Sequence, residues 1–251
     1  TRPTVDLFVA QDRAETLFQL QSEGQYVLAT QAKSFAEADS ATNKFAGSTV
    51  LDVANRMASE YNAFALPELT LIDEHVQLGR TVYFQDNQLI GYFNREQSRG
   101  YLAAVYTIRN GVMVLDIPDI GTISLKLENT SSKITADIVD DVPHFQIEVS
   151  CKAYISEINQ DLRKKLSLDV YEKFETALNE KLKLQIESAV EQAVIRDSTD
   201  IFNFDVALQQ QQTEYWKVHR DSWAQELAKI KYTVNVTSSV DRVQQEASPA
   251  F

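Results

Sequence analysis

An α+β fold, with antiparallel sheets and helices packed on one face, is what this chain of 251 residues predicts. Two patterns carry that reading. Strict apolar/polar alternation, the mark of a half-buried strand, runs through Phe145 to Ile155 and again through Tyr232 to Val240. Between them, Val170 to Val194 is apolar at every third or fourth position, the mark of one long amphipathic helix. Composition agrees: 44% hydrophobic and 24% charged residues are ordinary for a globular chain able to bury a core, as one large domain or two.

From the N-terminus, Val5 to Val9 reads as a short strand and Arg13 to Gln21 as a helix closed by Ser22-Glu23-Gly24. Residues Ser34 to Gly47 are rich in Ala, Ser and Asp and poor in large apolar side chains, so a mobile linker is expected. Val50, Val53, Ala54, Met57 and Tyr61 share one helix face, with Ser48 or Thr49 as cap and Pro67 preventing continuation. Strands are expected at Leu69 to Gln77, Arg80 to Phe84 and Gln88 to Phe93, with Asp86-Asn87 as a tight turn. Asn94 and Gln97 make a capping box for a helix to about Val105.

Val112 to Leu115 and three alternating segments follow: Ile123, Leu125 and Leu127; Ile134, Ala136 and Ile138; and Phe145 to Ile155. Short polar turns such as Asn129-Thr130-Ser131 would pair them antiparallel. Ser167 is placed to cap the long helix, Asp169 puts negative charge in its first turn, and Arg196 stands at its far end, all in keeping with the helix dipole. At roughly 26 residues that helix would span ~39 Å, enough to cross a small curved sheet.

After the polar break Asp197-Ser198-Thr199, Asp200 can cap a shorter helix with Ile201, Phe204 and Leu208 inward. A helix from about Glu214 to Lys229 then aligns Trp216, His219 or Arg220, Trp223, Leu227 and Ile230, so both tryptophans face one neighbour. Helical aromatic stripes usually fill cores, although aromatics also mark interaction surfaces. Trp216, Trp223, Asp200 and Phe204 are therefore candidate interaction or structural residues. The strand Tyr232 to Val240 completes the sheet.

The net charge of −12 sets a field that repels phosphate backbones and anionic lipid surfaces, which argues against nucleic-acid binding. No run approaches the ~18 apolar residues that a membrane span needs, and Thr1-Arg2-Pro3-Thr4 does not open a signal peptide. Cys151 lies within an alternating strand and reads as a small core hydrophobe. Glycine-rich phosphate loops and the G-x-S-x-G elbow are absent, and no serine is tied to a histidine by any recognisable pattern. His75, His144 and His219 are widely separated, Asp73-Glu74-His75 would place alternate residues on opposite strand faces, and Asp137, Asp140 and Asp141 read as a solvated turn. No catalytic residue, metal site or cofactor is expected.

Three stretches resemble the C subunits of spore germinant receptors, the GerC-type germination lipoproteins. They are Gly79-Arg80-Thr81-Val82-Tyr83-Phe84 with Leu89-Ile90-Gly91-Tyr92, then Ser98-Arg99-Gly100-Tyr101-Leu102, and then the long helix followed by Asp200-Ile201-Phe202-Asn203-Phe204, Tyr215-Trp216-Lys217 and Trp223. The resemblance implies residues 1–22 as the remnant of a first α/β domain, 23–116 as a middle α+β domain and 117–251 as a C-terminal α+β domain with the long helix. It implies a non-enzymatic subunit required for the response to nutrients. Its partners would be the membrane-embedded A and B subunits, and an N-terminal lipid anchor absent from this chain would hold it at the outer face of the spore inner membrane. An acidic residue near the end of the longest strand, here Glu157, also belongs to the resemblance, while Asn203 and Asp205 stand where the family often has glycine. Both tolerate left-handed backbone better than most residues. A different class of function, an extracytoplasmic module binding a small nutrient or envelope polymer, would show an aromatic-lined pocket. A hydrolase would show two carboxylates across one cleft.

Overall fold

The computed structural model describes residues 5–18, 48–58, 61–73, 75–108, 111–158 and 166–241. The linker expected at Ser34 to Gly47, and the end of the helix expected at Arg13 to Gln21, lie outside these residues. Two four-stranded sheets and one long helix make up the body. Strands β1 (Asp6–Leu7) and β3 (Ser48–Thr49) form a small antiparallel ribbon. Strand β2 (Val9–Ala10) and helix α1 (Ala14–Phe18) lie between them in the chain.

The first sheet has the order β2-β4-β5-β6, with β4 Ala63–Ile72, β5 His75–Gln85 and β6 Gln88–Phe93. The strand expected over Leu69 to Gln77 is two strands, because the chain reverses at Asp73, whose φ is +49°. A run of β-formers hides that turn, since only an Asp in left-handed backbone marks it. The Asp86-Asn87 turn is present, with φ of +50° and +63° as a tight hairpin requires. Helix α2 (Val50–Met57) is capped by Thr49 in a reciprocal box with Asp52 and ends well before Pro67. Pro67 instead sits buried in β4 where the register shifts between Pro67 and Leu69, the kind of irregularity that accepts a residue without an N–H.

The second sheet has the order β10-β9-β8-β7, comprising β7 (Gly111–Ile117), β8 (Gly121–Val139), β9 (Val142–Glu157) and β10 (Lys231–Asp241). The division placed at residues 116 and 117 falls inside β7. Asn129-Thr130-Ser131 is not a turn: β8 runs straight through it, with a register shift between Leu127 and Asn129. Thr130 is buried there, and its backbone N–H and side-chain Oγ1 both pair with the backbone of Ile108. A polar residue with a distant partner looks, locally, like a loop. The true turn is Asp140-Asp141, both at positive φ. Strand β10 joins the sheet as expected, but it runs parallel to β9 in an otherwise antiparallel sheet, because the chain between them crosses the sheet as helices.

That crossing is α4 (Leu168–Val190), 23 residues and so ~35 Å long. Phe174, Leu178, Leu182, Ile186, Ala189 and Val190 form its buried face, against Met113, Leu125, Ile147, Val149 and Ala153 of the strands. Ser167 stands at its N-cap without a side-chain cap hydrogen bond, so the Asp169 charge alone matches the dipole in the first turn. Helix α3 (Arg95–Val105), with its capping box between Asn94 and Gln97, lies across α4. At the crossing Gly100 has no room for a side chain: a Cβ there would stand 2.2 Å from the Gln185 carbonyl oxygen. Because the obstruction is backbone, Gly100→Ala should push the two helices apart and cost about 1–3 kcal/mol, read as a lower urea midpoint with unchanged slope.

Candidate functional site

The last turn of the long helix widens into a π-helical segment, Glu191–Arg196. Such turns insert one residue into the i→i+4 ladder and recur at functional sites. Here the extra residue turns the chain sharply into Asp197-Ser198-Thr199, with Ser198 at φ +51° and the Thr199 N–H donating to the Ala193 carbonyl at 2.8 Å. The polar break of the sequence is thus a joint. Tyr83 of β5 donates its hydroxyl to Asp197 Oδ2, and Tyr61 donates to the Ser198 carbonyl at 2.7 Å. Thr199 Oγ1 lies 3.1 Å from Gln85 Oε1. Three residues after the long helix therefore fasten it to the first sheet.

Asp200 follows, 1% exposed. Its Oδ1 accepts the Phe204 N–H at 3.0 Å, and its Oδ2 accepts the Asp205 N–H at 2.7 Å and the Trp223 indole N–H at 3.1 Å. The sequence expectation that Asp200 caps the short helix α5 (Phe204–Gln211) is met from outside the formal cap position, which is Asn203. Asn203 sits at φ +66°, and that left-handed residue turns the first two helical N–H groups back onto the carboxylate. Asp205, by contrast, is ordinary helix.

The helix expected from Glu214 to Lys229 is broken into α6 (Thr213–His219), a 3₁₀ turn at Arg220–Ser222, α7 (Trp223–Glu226) and a second 3₁₀ turn at Leu227–Lys229. The break keeps Trp223 on the Asp200 carboxylate while Trp216 stays on the sheet side. The two rings meet edge to face at 5.6 Å and are 4% and 1% exposed. Phe204 stacks on Phe145 at 4.2 Å, and Phe145 meets Trp223 edge-on at 6.3 Å. Asp200, Phe204, Trp216 and Trp223 thus belong to one buried cluster. Glu157 does not: it is the exposed last residue of β9, opposite Ser124, ~40 Å along the strand from Phe145.

Burial raises the Asp200 carboxyl, an effect opposed by its three N–H donors. Burial and then the Asp200 charge push Asp205 up to about 8. Burial also raises the hydroxyl of Tyr61 and that of Tyr83, the latter further raised by Asp197, and both stay neutral donors. Beside this cluster a cleft of about 500 Å³ opens between Tyr61, Asn62 and Gln85 on one wall and Arg220, Asp221 and Trp223 on the other. A larger hollow of about 840 Å³ lies at the end of the second sheet, where Asp137, His144 and Lys231 face one another across three strands.

Among the described residues no three His, Cys, Asp or Glu side chains are grouped to hold a metal ion. Glu74 lies outside them. His219 stacks on Tyr215 at 4.0 Å, and Asp137 bonds the Ile138 N–H. Cys151 is buried, which pushes its thiol up to about 12 and leaves it inert at neutral pH. Asp200 and Asp205 are paired inside the core, 1% and 5% exposed, rather than across a cleft. Sequence reading missed the bonds of Tyr61 to Ser198 and of Tyr83 to Asp197, which join residues more than 100 apart and leave no local trace.

Asp200→Ala should strand the Phe204, Asp205 and Trp223 N–H groups in the core, costing about 3 kcal/mol or more in chemical denaturation, with Asp200→Asn milder. Trp223→Ala should cost about 3–5 kcal/mol, and a charge at Trp216 or Trp223 should depress the melting temperature. Unchanged stability would remove the two rings from the core.

Residues 79–244 match the model of the family described as spore germination B3/GerAC like, C-terminal. The crystal structure of the GerBC protein superposes with a TM-score of 0.71 and 14% identity, covering 94% of this chain and 68% of that one. No match to a curated protein sequence was found. At that identity the superposition speaks for the fold, and it includes the long helix laid on its sheet. With the family's model matched over more than half of its length, the chain belongs to the spore germination B3/GerAC-like family, the C subunits of spore germinant receptors.

Proposed function

We propose that this chain is the body of a non-enzymatic lipoprotein subunit that a nutrient germinant receptor requires for germination and that acts through protein contacts. The family match over residues 79–244 carries the reading. The burial of the Asp200–Asp205 cluster supports it, because the acids most raised by burial among the described residues hold structure together inside the core. The partners are the A and B membrane subunits, and an N-terminal lipid anchor tethers the chain to the outer face of the spore inner membrane. Among the described residues no helix is long and apolar enough to cross a membrane.

A binding module for a small nutrient or envelope polymer is the second reading, favoured by the cleft beside Tyr61 and Trp223. Two measurements separate them. Deleting the gene should abolish germination through this receptor and the recovery of A and B together from spore membranes, and the anchored chain should restore both. Amino acids, sugars and nucleotides should leave the melting temperature of the isolated chain unmoved; saturable stabilisation by one of them would favour the binding module.

A further inference from the structure

The corner around Asp200 holds two carboxylates whose donors are shared unequally: three N–H groups point at Asp200, whereas Asp205 has the Val206 N–H. Asp200 accepts N–H groups from Phe204, Asp205 and Trp223, whereas Asp205 Oδ1 is buried without a hydrogen-bond partner. The two side chains are 1% and 5% exposed. An ionised carboxylate in such a place needs donors or a counter-charge, but a protonated one needs only an acceptor for its O–H. That acceptor is the Asp200 carboxylate, which is within hydrogen-bonding reach of Asp205. The site therefore suits one negative charge, on Asp200, and one proton, on Asp205, as carboxylates that share a site generally divide them.

The contacts of Asp200 reach two pieces of the corner. Its backbone donors start α5, its indole donor starts α7, and Trp223 and its neighbours Arg220 and Asp221 form one wall of the 500 Å³ cleft. The opposite wall, Tyr61, Asn62 and Gln85, belongs to the first sheet and its approach. A second charge on Asp205 would oppose the first within the same closed space.

We propose that Asp200 and Asp205 form a proton-operated latch: one proton held between them keeps α5 and the Trp223 segment seated on the β-sheet, and its loss lets that wall of the cleft swing open. The groups facing the pair are Arg56 of α2, Tyr61 ahead of β4 and Tyr101 of α3. Arg56 favours the ionised form of both acids, while burial keeps the two tyrosines neutral. The closed corner binds the Asp205 proton up to about pH 8, whereas an opened, hydrated carboxyl releases it near 3.8. Closure is thus firmest at acid pH, weakens as pH rises between those values, and changes no further above the upper one. The latch stands apart from the receptor role and does not depend on it.

Amide hydrogen exchange of the full chain between pH 5 and pH 9, corrected for the intrinsic exchange rate, tests this. The Phe204, Asp205 and Trp223 segments should open about tenfold more often per pH unit up to about pH 8 and then level off, while β8 and β9 stay constant. In Asp205→Asn the slope should vanish. A flat profile in the unmodified chain, or the same slope in Asp205→Asn, overturns the latch. Because that variant can fail to fold, carboxyl NMR of the unmodified chain labelled at aspartate gives a second readout: Asp205 should titrate near pH 8, and titration below pH 5 refutes the proposal.

Discussion

A buried carboxylate must find hydrogen-bond donors, and the way Asp200 finds them dictates the shape of the C-terminal half of this molecule. An ionised group shut away from water costs several kcal/mol unless its lone pairs are occupied. Phe204 and Asp205 supply backbone N–H groups because Asn203 adopts left-handed backbone just before α5. Trp223 supplies its indole N–H because the following helix breaks into short pieces. Irregularities that would each weaken an isolated helix are therefore compensated at one point.

The same corner fixes how the two sheets meet. Helix α4 carries the second sheet on its apolar face, and its π-helical end delivers Asp197 and Thr199 to Tyr83 and Gln85 of the first, and Ser198 to Tyr61 just ahead of it. On the other side Gly100 lets α3 approach the backbone of α4 with no side chain between them. Buried Glu68 is held by a bidentate contact with Arg80, at 2.8 Å for each bond, and Arg80 also lies 3.9 Å over the ring of Tyr92. The Arg80 contacts join the three strands of the first sheet to one another, while the Asp197 to Thr199 bonds and the Gly100 crossing hold that half of the molecule to the long helix.

The ionisable groups of the chain divide into two populations. Most of its acidic residues lie on the surface, where they make a net charge of −12 and ordinary exposed ion pairs such as Lys217 with Glu214. Among the described residues Glu68, Asp200 and Asp205 are buried; Glu68 pairs with Arg80, whereas Asp200 and Asp205 lie beside the aromatic core formed by Phe145, Phe204, Trp216 and Trp223. A core that admits a titratable pair gives up some stability and gains a response to protons.

The amino-acid sequence alone determined the elements whose signal is local. Periodicity specified α4 and the strands β9 and β10, the side chains of Asn94 and Gln97 specified the start of α3, and Asp86-Asn87 specified a hairpin turn. The tryptophans of the aromatic core also followed from helical spacing. Tertiary structure alone decided the rest: that Thr130 lies in an unbroken strand, that Asp73 reverses the chain, and that Asp197 and Asp205 are buried or bonded partners instead of surface acids. The physical reason is distance along the chain. A covered face or a cap is written in residues three or four apart, whereas the environment of a polar group depends on partners that only the folded backbone brings to it.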